Sequence, residues 1–270
     1  MQYLNLRSIY DHIMIKEIQL IFGFYPRRII KSLKSLPWYR QTKREFLRQW
    51  KADNESFGSI FSYPCLRDRE EEGGVASGHY FHQDLFVAQE IFKTNPVSHV
   101  DIGSRINGLI AHIASFRPVT IVDIRSVTPV IDNVKFVQAD CMSPDFPWGD
   151  YCDSVSSLHA IEHFGLGRYG DPIDVNGHIK GLNNISAMLK SGGIFYFSVP
   201  IGPQRIEFNA HRVFSIRYLL DYFKNQFDLM SFSYVDDKGD FHKSIDLTDD
   251  IINRNCDCIY GCGIFILRKK

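Results

Sequence analysis

Apolar and polar positions repeat with two different periods along this chain. From residue 97 onward, short apolar runs bounded by glycine, proline or acidic residues alternate with longer stretches of helical spacing. VSHVDIG (97–103) reads as a short buried strand and INGLIAHIASF (106–116) as the helix that follows it. VTIVDI (119–124), VKFVQAD (134–140) and DSVSSLHAI (153–161) read as further strands. HIKGLNNISAMLK (178–190) has helical spacing and is expected to stop at Gly192 and Gly193. IFYFSVP (194–200) is a strongly apolar strand, and DLMSFSYV (228–235) with GCGIFILRK (261–269) supplies a final strand pair. Strands separated by helices predict a doubly wound α/β sheet, mainly parallel, and the runs above number seven strands. A ligand of such a sheet lies beyond the carboxyl ends of the strands, where strand order reverses.

Residues 1–75 carry a different pattern. Ile13, Ile18, Leu20 and Ile21, then Ile29, Ile30, Leu33 and Leu36, recur at helical spacing and predict short amphipathic helices punctuated by Pro26 and Pro37. Between Lys16 and Lys51 the charges are mainly basic, with Trp38, Tyr39, Phe46 and Trp50 interleaved. Two readings stand. One is a surface that meets anionic lipid or a charged glycan carrier at the membrane periphery. The other is a solvated helical face packed through its apolar side. The stretch RDREEEGGVASG (67–78) reads as a linker, so a basic helical extension (1–75) should precede one larger domain (76–270).

Composition narrows the function classes. With 44% hydrophobic and 23% charged residues, the 270-residue chain has the make-up of an ordinary soluble protein. Its 31 basic and 31 acidic residues cancel, so no global field draws it to nucleic acid. No apolar run approaches the roughly 20 residues that span a bilayer, and the N-terminal stretch is a poor signal peptide. Six scattered cysteines do not form a secreted disulfide framework, which points to a reducing cytoplasm. The C-x-C-x-x-x-C spacing of Cys256, Cys258 and Cys262 lacks the paired knuckles of structural zinc, and no metal set is assigned from it.

The chemistry concentrates at strand ends. HVDIGSRING (99–108) is a strand ending in Asp101, then Gly103, a turn and a helix. Glycine permits a tight bend and the close approach of a ligand. The second strand ends in Asp123, placed to accept hydrogen bonds from ribose hydroxyls, and the third in Asp140, within reach of an exocyclic amine. Together these describe a nucleoside site. After the fourth strand come Glu162 and His163, acid–base candidates where a substrate hydroxyl would approach. Each has a plainer alternative, a histidine fixing the following turn and a carboxylate capping it. Glu162 could also orient His163 or join a divalent metal. His211 is a reserve base, and Arg212 either binds an anionic sugar or pairs locally. GLGRYG (165–170) fits the G-x-G-x-x-G pattern, yet it follows the fourth strand and runs into Asp171-Pro172. It is therefore expected to fold over the substrate, presenting Arg168 and Tyr169, rather than to bind NAD.

The series VDIGSRING, IVDIR, VQAD, LHAIEH and LKSGGIFYFSVP resembles the class I S-adenosylmethionine-dependent methyltransferases. More narrowly, the chain is similar to an uncharacterised methyltransferase-like family marked by EH-x-GLGRYGDPID, and to methyltransferases among bacterial surface-polysaccharide enzymes. The resemblance covers roughly residues 80–270 and implies a Rossmann-like fold, a seven-stranded sheet with the last strand antiparallel. It implies that Asp101, Gly103, Ser104 and Arg105 form the methionine-side loop, and that Asp123 meets the ribose. It further implies that Asp140 and Cys141 meet the adenine, with Leu158 and His159 lining the cofactor. The implied activity is methyl transfer to an oxygen of a sugar or glycan. Arg105 and Asn107 stand where that family has its second and third glycines. Either the loop accommodates these side chains or cofactor affinity is reduced. A nicotinamide-dependent oxidoreductase and a non-catalytic interaction protein of the same fold are the rival readings.

Overall fold

The computed structural model describes residues 25–52, 60–70, 73–74, 76–128 and 130–270. The amphipathic stretch expected around Ile13, Ile18, Leu20 and Ile21 lies outside the described residues. The chain divides into two compact units, Met1–Val75 and Ala76–Lys270.

In the first unit, helix α1 (Pro26–Ala52) runs unbroken through Pro37. The break expected at Pro37 is therefore corrected. Pro26 opens the helix, where its missing N–H has no intrahelical partner to lose. Pro37 removes only the bond to the Leu33 carbonyl, and Leu33 is exposed, so water can take that acceptor.

The second unit holds α2 (His79–Thr94), β1 (His99–Ile102), a tight turn into α3 (Ala111–Ala114), β2 (Val119–Asp123), β3 (Val134–Gln138) and β4 (Cys152–Leu158). There follow α4 (Gly177–Met188), β5 (Leu189–Ile201), β6 (Arg205–Glu207), β7 (His211–Val213), α5 (Ile216–Phe223), β8 (Phe227–Val235), β9 (Phe241–His242), α6 (Asp249–Asn253) and β10 (Gly261–Lys269). The main sheet has the order β3-β2-β1-β4-β5-β10-β8-β9, with β6 and β7 forming a separate hairpin. Strands β1 to β5 pair in parallel. Strand β10 is antiparallel to both β5 and β8, as expected for the last strand from the resemblance. Two-residue β9 adds an eighth strand beside β8. Strand order reverses between β1 and β4, which fixes where the ligand crevice opens.

Alternation along β5 explains why both sheet faces are covered. Phe195, Phe197 and Val199 point into a cluster with α4, α5 and the aromatic side chains Phe223, Phe227, Phe232 and Phe265. Tyr196 points to the other face, where Phe86, Val87 and Ile91 of α2 and Ile113 of α3 pack. At roughly 2 kcal/mol for each large apolar side chain buried, these two layers dominate the stability of the unit. Neither α2 nor α5 is among the elements read from periodicity.

The expected glycine stop of α4 is also corrected. The helix ends at Met188 and the chain enters β5 directly, so Gly192 and Gly193 lie inside the strand as assigned. A Cβ on Gly193 would meet the Lys190 carbonyl oxygen at 2.8 Å and that of Asp153 at 2.9 Å. These glycines permit the bent start of β5 beside β4, where the pairing register shifts.

Buried His178 on α4 gives this unit a measurable acid response. Its Nε2 is 3.0 Å from the Tyr218 hydroxyl and its Nδ1 has no partner. Burial, then Arg212, pushes its pKa down to about 4 from 6.5. A depressed histidine pKa contributes stability that is present above the unfolded value and is lost as pH falls through 6.5 toward 4. His178→Phe removes this response. Relative to the parent, the variant should gain about 2 kcal/mol in unfolding free energy between about pH 7 and pH 4, read by urea titration. Parallel pH dependences would show that His178 is not buried in its neutral form.

Candidate functional site

A crevice of about 610 Å³ opens beyond the ends of β1 to β4, lined by Gly103 to Asn107, Asp123 to Val127, Ala139 to Met142 and His159. Tyr80, His163, Phe164, Tyr169 and Asp171 also line it. The size falls within the range of small-molecule sites.

Its floor is built from a polar chain inside the sheet. Asp101 accepts from the Ser104 N–H at 2.9 Å and the Ser104 hydroxyl at 2.6 Å, and also from the Ser156 hydroxyl. Because the Ser156 proton goes to Asp101, its oxygen accepts from His99 Nε2–H at 3.1 Å, leaving His99 Nδ1 to accept from Ser154 at 2.8 Å. Burial raises the Asp101 pKa to about 6 and lowers that of His99 to about 3. Ser104 Oγ in turn accepts from the Leu158 N–H at 3.0 Å, tying the first loop to β4. Asp101 and Leu158 thus sit behind the crevice and shape it, while Gly103, Ser104 and Arg105 face it.

The missing glycines of the loop have a conformational answer. Arg105 adopts φ −70 and ψ 131, ordinary extended backbone that any residue can take. Its guanidinium lies over the Tyr80 ring at 4.5 Å, so the side chain is carried by the crevice wall. Gly103 has φ +71, and a Cβ there would meet Ala160 Cβ at 3.0 Å. Gly108 provides the second close approach, since a Cβ on it would lie 2.1 Å from Asp84 Oδ2. The loop accommodates Arg105 and keeps glycine only where backbone or space requires it.

At the second strand end, Asp123 is held by Arg125, which donates to Oδ1 at 3.0 Å through Nε and to Oδ2 at 2.7 Å. Arg125 also lies over the Tyr169 ring at 4.3 Å. A ribose hydroxyl at Asp123 would therefore share the carboxylate with Arg125 or displace it. Asp140 accepts from the Met142 N–H at 2.8 Å, and Cys141 is buried beside it with its thiol pKa pushed up by burial.

At the fourth strand end the side chains converge. His159 takes φ +49, unusual for a residue with a Cβ, and places Nδ1 2.7 Å from Glu162 Oε1. Both residues are buried. Burial opposes charge on His159, but the Cys262 sulfur and Glu162 outweigh it and raise its pKa well above the ordinary value. Burial also works against Glu162, yet the pairing with His159 holds its pKa below the usual range. His163 donates through Nδ1–H to the Ala210 carbonyl at 2.7 Å, which leaves its Nε2 lone pair 3.8 Å from Glu162 Oε1. Burial lowers the His163 pKa, against the pull of Glu162. It is a neutral imidazole at neutral pH with the tautomer a base requires.

The GLGRYGDPID loop folds around a single carboxylate. Asp171 accepts from the N–H groups of Gly165 at 2.8 Å, Gly167 at 3.1 Å and Tyr169 at 3.1 Å. Arg212, a substrate-binding candidate in the sequence, is buried at 4% exposure and donates to the carbonyls of Phe164, Val175, Asp174 and Glu162. Its hydrogen bonds are thus local, to backbone carbonyls. Arg168 is exposed and donates to the Ala210 carbonyl at 2.9 Å, while Tyr169 faces the crevice. His211 lies outside the crevice lining, with Nε2 3.2 Å from Glu207. Sequence reasoning missed Tyr80, Arg125 and Asp171. The first belongs to a helix it did not read, and the other two act on neighbouring backbone and side chains without a motif.

Residues 130–270 match the family described as Caenorhabditis protein of unknown function, DUF268. The chain belongs to that family. No curated protein matches the chain. Among solved structures, this DUF268 member is similar to the [4+2]-cyclase SpnF at a TM-score of 0.50 and 14% identity, over 73% of this chain and 88% of that one. It is also similar to a 1,6-didemethyltoxoflavin-N1-methyltransferase from Burkholderia thailandensis with bound 1,6-didemethyltoxoflavin and S-adenosylhomocysteine. That match has a TM-score of 0.47 at 17% identity, over 79% of this chain and 93% of that one. The N-methyltransferase NodS from Bradyrhizobium japonicum WM9, in complex with S-adenosylhomocysteine, aligns at 0.46 and 10% identity, over 71% and 88% of the two chains. The likeness is one of fold, a Rossmann-like α/β sheet, and a fold shared with a cyclase does not by itself name a reaction.

Proposed function

We propose that this DUF268 chain is an S-adenosylmethionine-dependent methyltransferase that methylates an oxygen of a sugar or glycan intermediate in the cytoplasm. The observation that carries the reading is the meeting of Gly103, Asp123 and Asp140, three successive strand ends, on one crevice at the reversal of strand order. The residues present fit the cofactor. The Gly103 turn leaves no room for a side chain, the two acidic strand ends offer acceptors to a nucleoside, and Ile102, Ile124, Cys141 and Met142 supply an apolar wall. When bound, the cofactor supplies an electrophilic methyl carbon on a sulfonium.

The chain's own residues supply the rest. His163, with Nε2 unprotonated, accepts the proton of the attacking hydroxyl, and Glu162 stabilises the imidazolium that forms. Tyr169 narrows the acceptor side of the crevice. The sugar or glycan acceptor rests on the resemblance to polysaccharide-linked methyltransferases and on the EH-x-GLGRYGDPID segment. The basic character of α1 supports delivery at the membrane periphery.

Calorimetric titration tests the cofactor. S-adenosylmethionine and S-adenosylhomocysteine should each bind with one-to-one stoichiometry and NAD should not. Binding of NAD where neither sulfur compound binds would overturn the reading in favour of an oxidoreductase, and binding of none would favour an interaction protein. With a tritiated methyl donor, label should enter the carbohydrate fraction of a cell extract and resist mild alkali, as an ether does and an ester does not.

A further inference from the structure

A second cluster of chemistry-bearing side chains shares His159 with the crevice wall and has no proton-transfer role in the proposed methyl transfer. His79 at the start of α2, His159 at the end of β4 and Cys262 in β10 each bring one ligating atom within 4.8 Å of the others. Cys262 is fully buried, His159 is 8% exposed and His79 is half-buried. The two imidazoles are stacked, with centroids 5.2 Å apart and planes 14° from parallel, so His79 must turn out of the stack to aim a ring nitrogen at an ion shared with His159.

The hydrogen bonds around the cluster leave one atom unexplained. His159 Nδ1 is committed to Glu162 Oε1 at 2.7 Å. That contact holds a proton on Nδ1, and the raised pKa puts a second on Nε2, which is buried and has no hydrogen-bond partner. A buried polar atom left without a partner is destabilising, and here it stands beside a second imidazole and a sulfur. The Cys262 thiol faces Gln83 Oε1 at 3.4 Å, but that oxygen already accepts from the Ser198 hydroxyl at 2.6 Å. Loss of the thiol proton therefore leaves Gln83 satisfied.

We propose that His79, His159 and Cys262 form a zinc-type cation site, with two imidazoles and one thiolate as ligands and a fourth position for water. Imidazole and thiolate select a soft or borderline tetrahedral ion, and the all-oxygen shell that magnesium or calcium prefers is missing from this set. Glu162 is the carboxylate partner that orients a metal-bound histidine, a recurrent arrangement behind metal ligands. Binding exchanges the thiol proton and the His159 Nε2 proton, both released to solvent, for a metal–sulfur and a metal–nitrogen bond, with no change of oxidation state. Tetrahedral ligand atoms sit about 3.3–3.8 Å apart, so the rings must close by about 1 Å, chiefly by rotation of half-buried His79. The site uses Cys262 but neither Cys256 nor Cys258. Its ligands come from three separate elements, so no short spacing announces it in the sequence.

Cobalt(II) titration of the chelator-stripped, untagged full chain tests the proposal. One equivalent should bind with a near-ultraviolet thiolate-to-cobalt charge-transfer band, and zinc should displace it. Cys262→Ser should lose the band, Cys256→Ser should keep it, and His79→Ala should weaken binding at least tenfold. Glu162→Gln should weaken it about 10–100-fold, as loss of a carboxylate behind a metal-bound histidine does. Absence of stoichiometric binding by the parent, or a band that survives Cys262→Ser, overturns the site. Should Cys262→Ser fail to fold by circular dichroism, His79→Ala decides, and an unchanged affinity there overturns it equally.

Discussion

A Gly165→Ala chain is expected to be less stable than the parent by about 3 kcal/mol, a fall in thermal midpoint of about 6–12 °C for a unit of this size. Two costs combine. Gly165 has φ +76, where a Cβ costs about 1–2 kcal/mol against the following carbonyl. That Cβ would also lie 2.0 Å from the Asp174 carbonyl oxygen and 2.9 Å from its carbon. The obstacle is backbone, so no side chain can swing aside. Relief requires parting Gly165 from Asp174, which breaks the Asp174 N–H bond to the Gly165 carbonyl at 3.0 Å. It also disturbs the Phe164 and Asp174 carbonyls that satisfy buried Arg212. Gly170→Ala is the matched control. Its φ is +82 but a Cβ there meets nothing within 4 Å, so it should cost only about 1 kcal/mol. Equal midpoints for the two variants, measured by scanning calorimetry, would remove the packing argument.

The loop that contains both glycines shows how far the sequence is legible. Its position after the fourth strand is readable from the strand pattern, and that position with the Asp171-Pro172 that follows is what argued against a dinucleotide fingerprint. The work of Asp171 was not readable, because three backbone N–H groups converge on it only after the chain has turned. For the same reason the sequence left Arg212 open between meeting an anion and pairing locally. An arginine's partners are visible in sequence when they are carboxylates at helical spacing, and invisible when they are carbonyls from residues 162 to 175.

Elements follow the same division. The strands from 97 to 200 were legible as short runs rich in apolar residues between turn signals, most plainly β5, which is buried on both faces from Phe195 to Ile201, and least so edge strand β3, which has no buried residue. Helix α2 was missed because Phe86, Val87 and Ile91 lie among the polar residues His79, His82, Gln83 and Asp84, of which Gln83 and Asp84 are themselves buried. Pro37 and the Gly192-Gly193 pair were read by their usual meaning and act otherwise, one tolerated on a solvated helix and the other opening a strand. At the site, strand-end carboxylates were readable by position. What each carboxylate touches was not. Asp101 turned inward to Ser104 and Ser156, and Asp123 took Arg125 as its partner.

His163→Gln is expected to leave the affinity for S-adenosylhomocysteine nearly unchanged and to slow methyl transfer by about 10²–10⁴-fold, the usual worth of a positioned base. The argument rests on tautomer and placement. The Ala210 carbonyl takes the Nδ1 proton, so the Nε2 lone pair is the one available near the crevice, and Glu162 stands 3.8 Å away to stabilise the charge it acquires. Burial lowers the His163 pKa below 6.5, so the base form should persist below the pH at which an exposed histidine protonates. The rate of tritiated methyl incorporation should therefore rise with pH through a value below 6.5 and be flat above it. The glutamine variant, having no group to titrate there, should lose that rising limb as well as the rate. His211→Gln separates the two histidines. Its ring lies outside the crevice lining, beside Glu207 at 3.2 Å, and the variant should keep both the rate and the limb. A normal rate for His163→Gln with a slow His211→Gln would transfer the proton-accepting role to the β6–β7 hairpin.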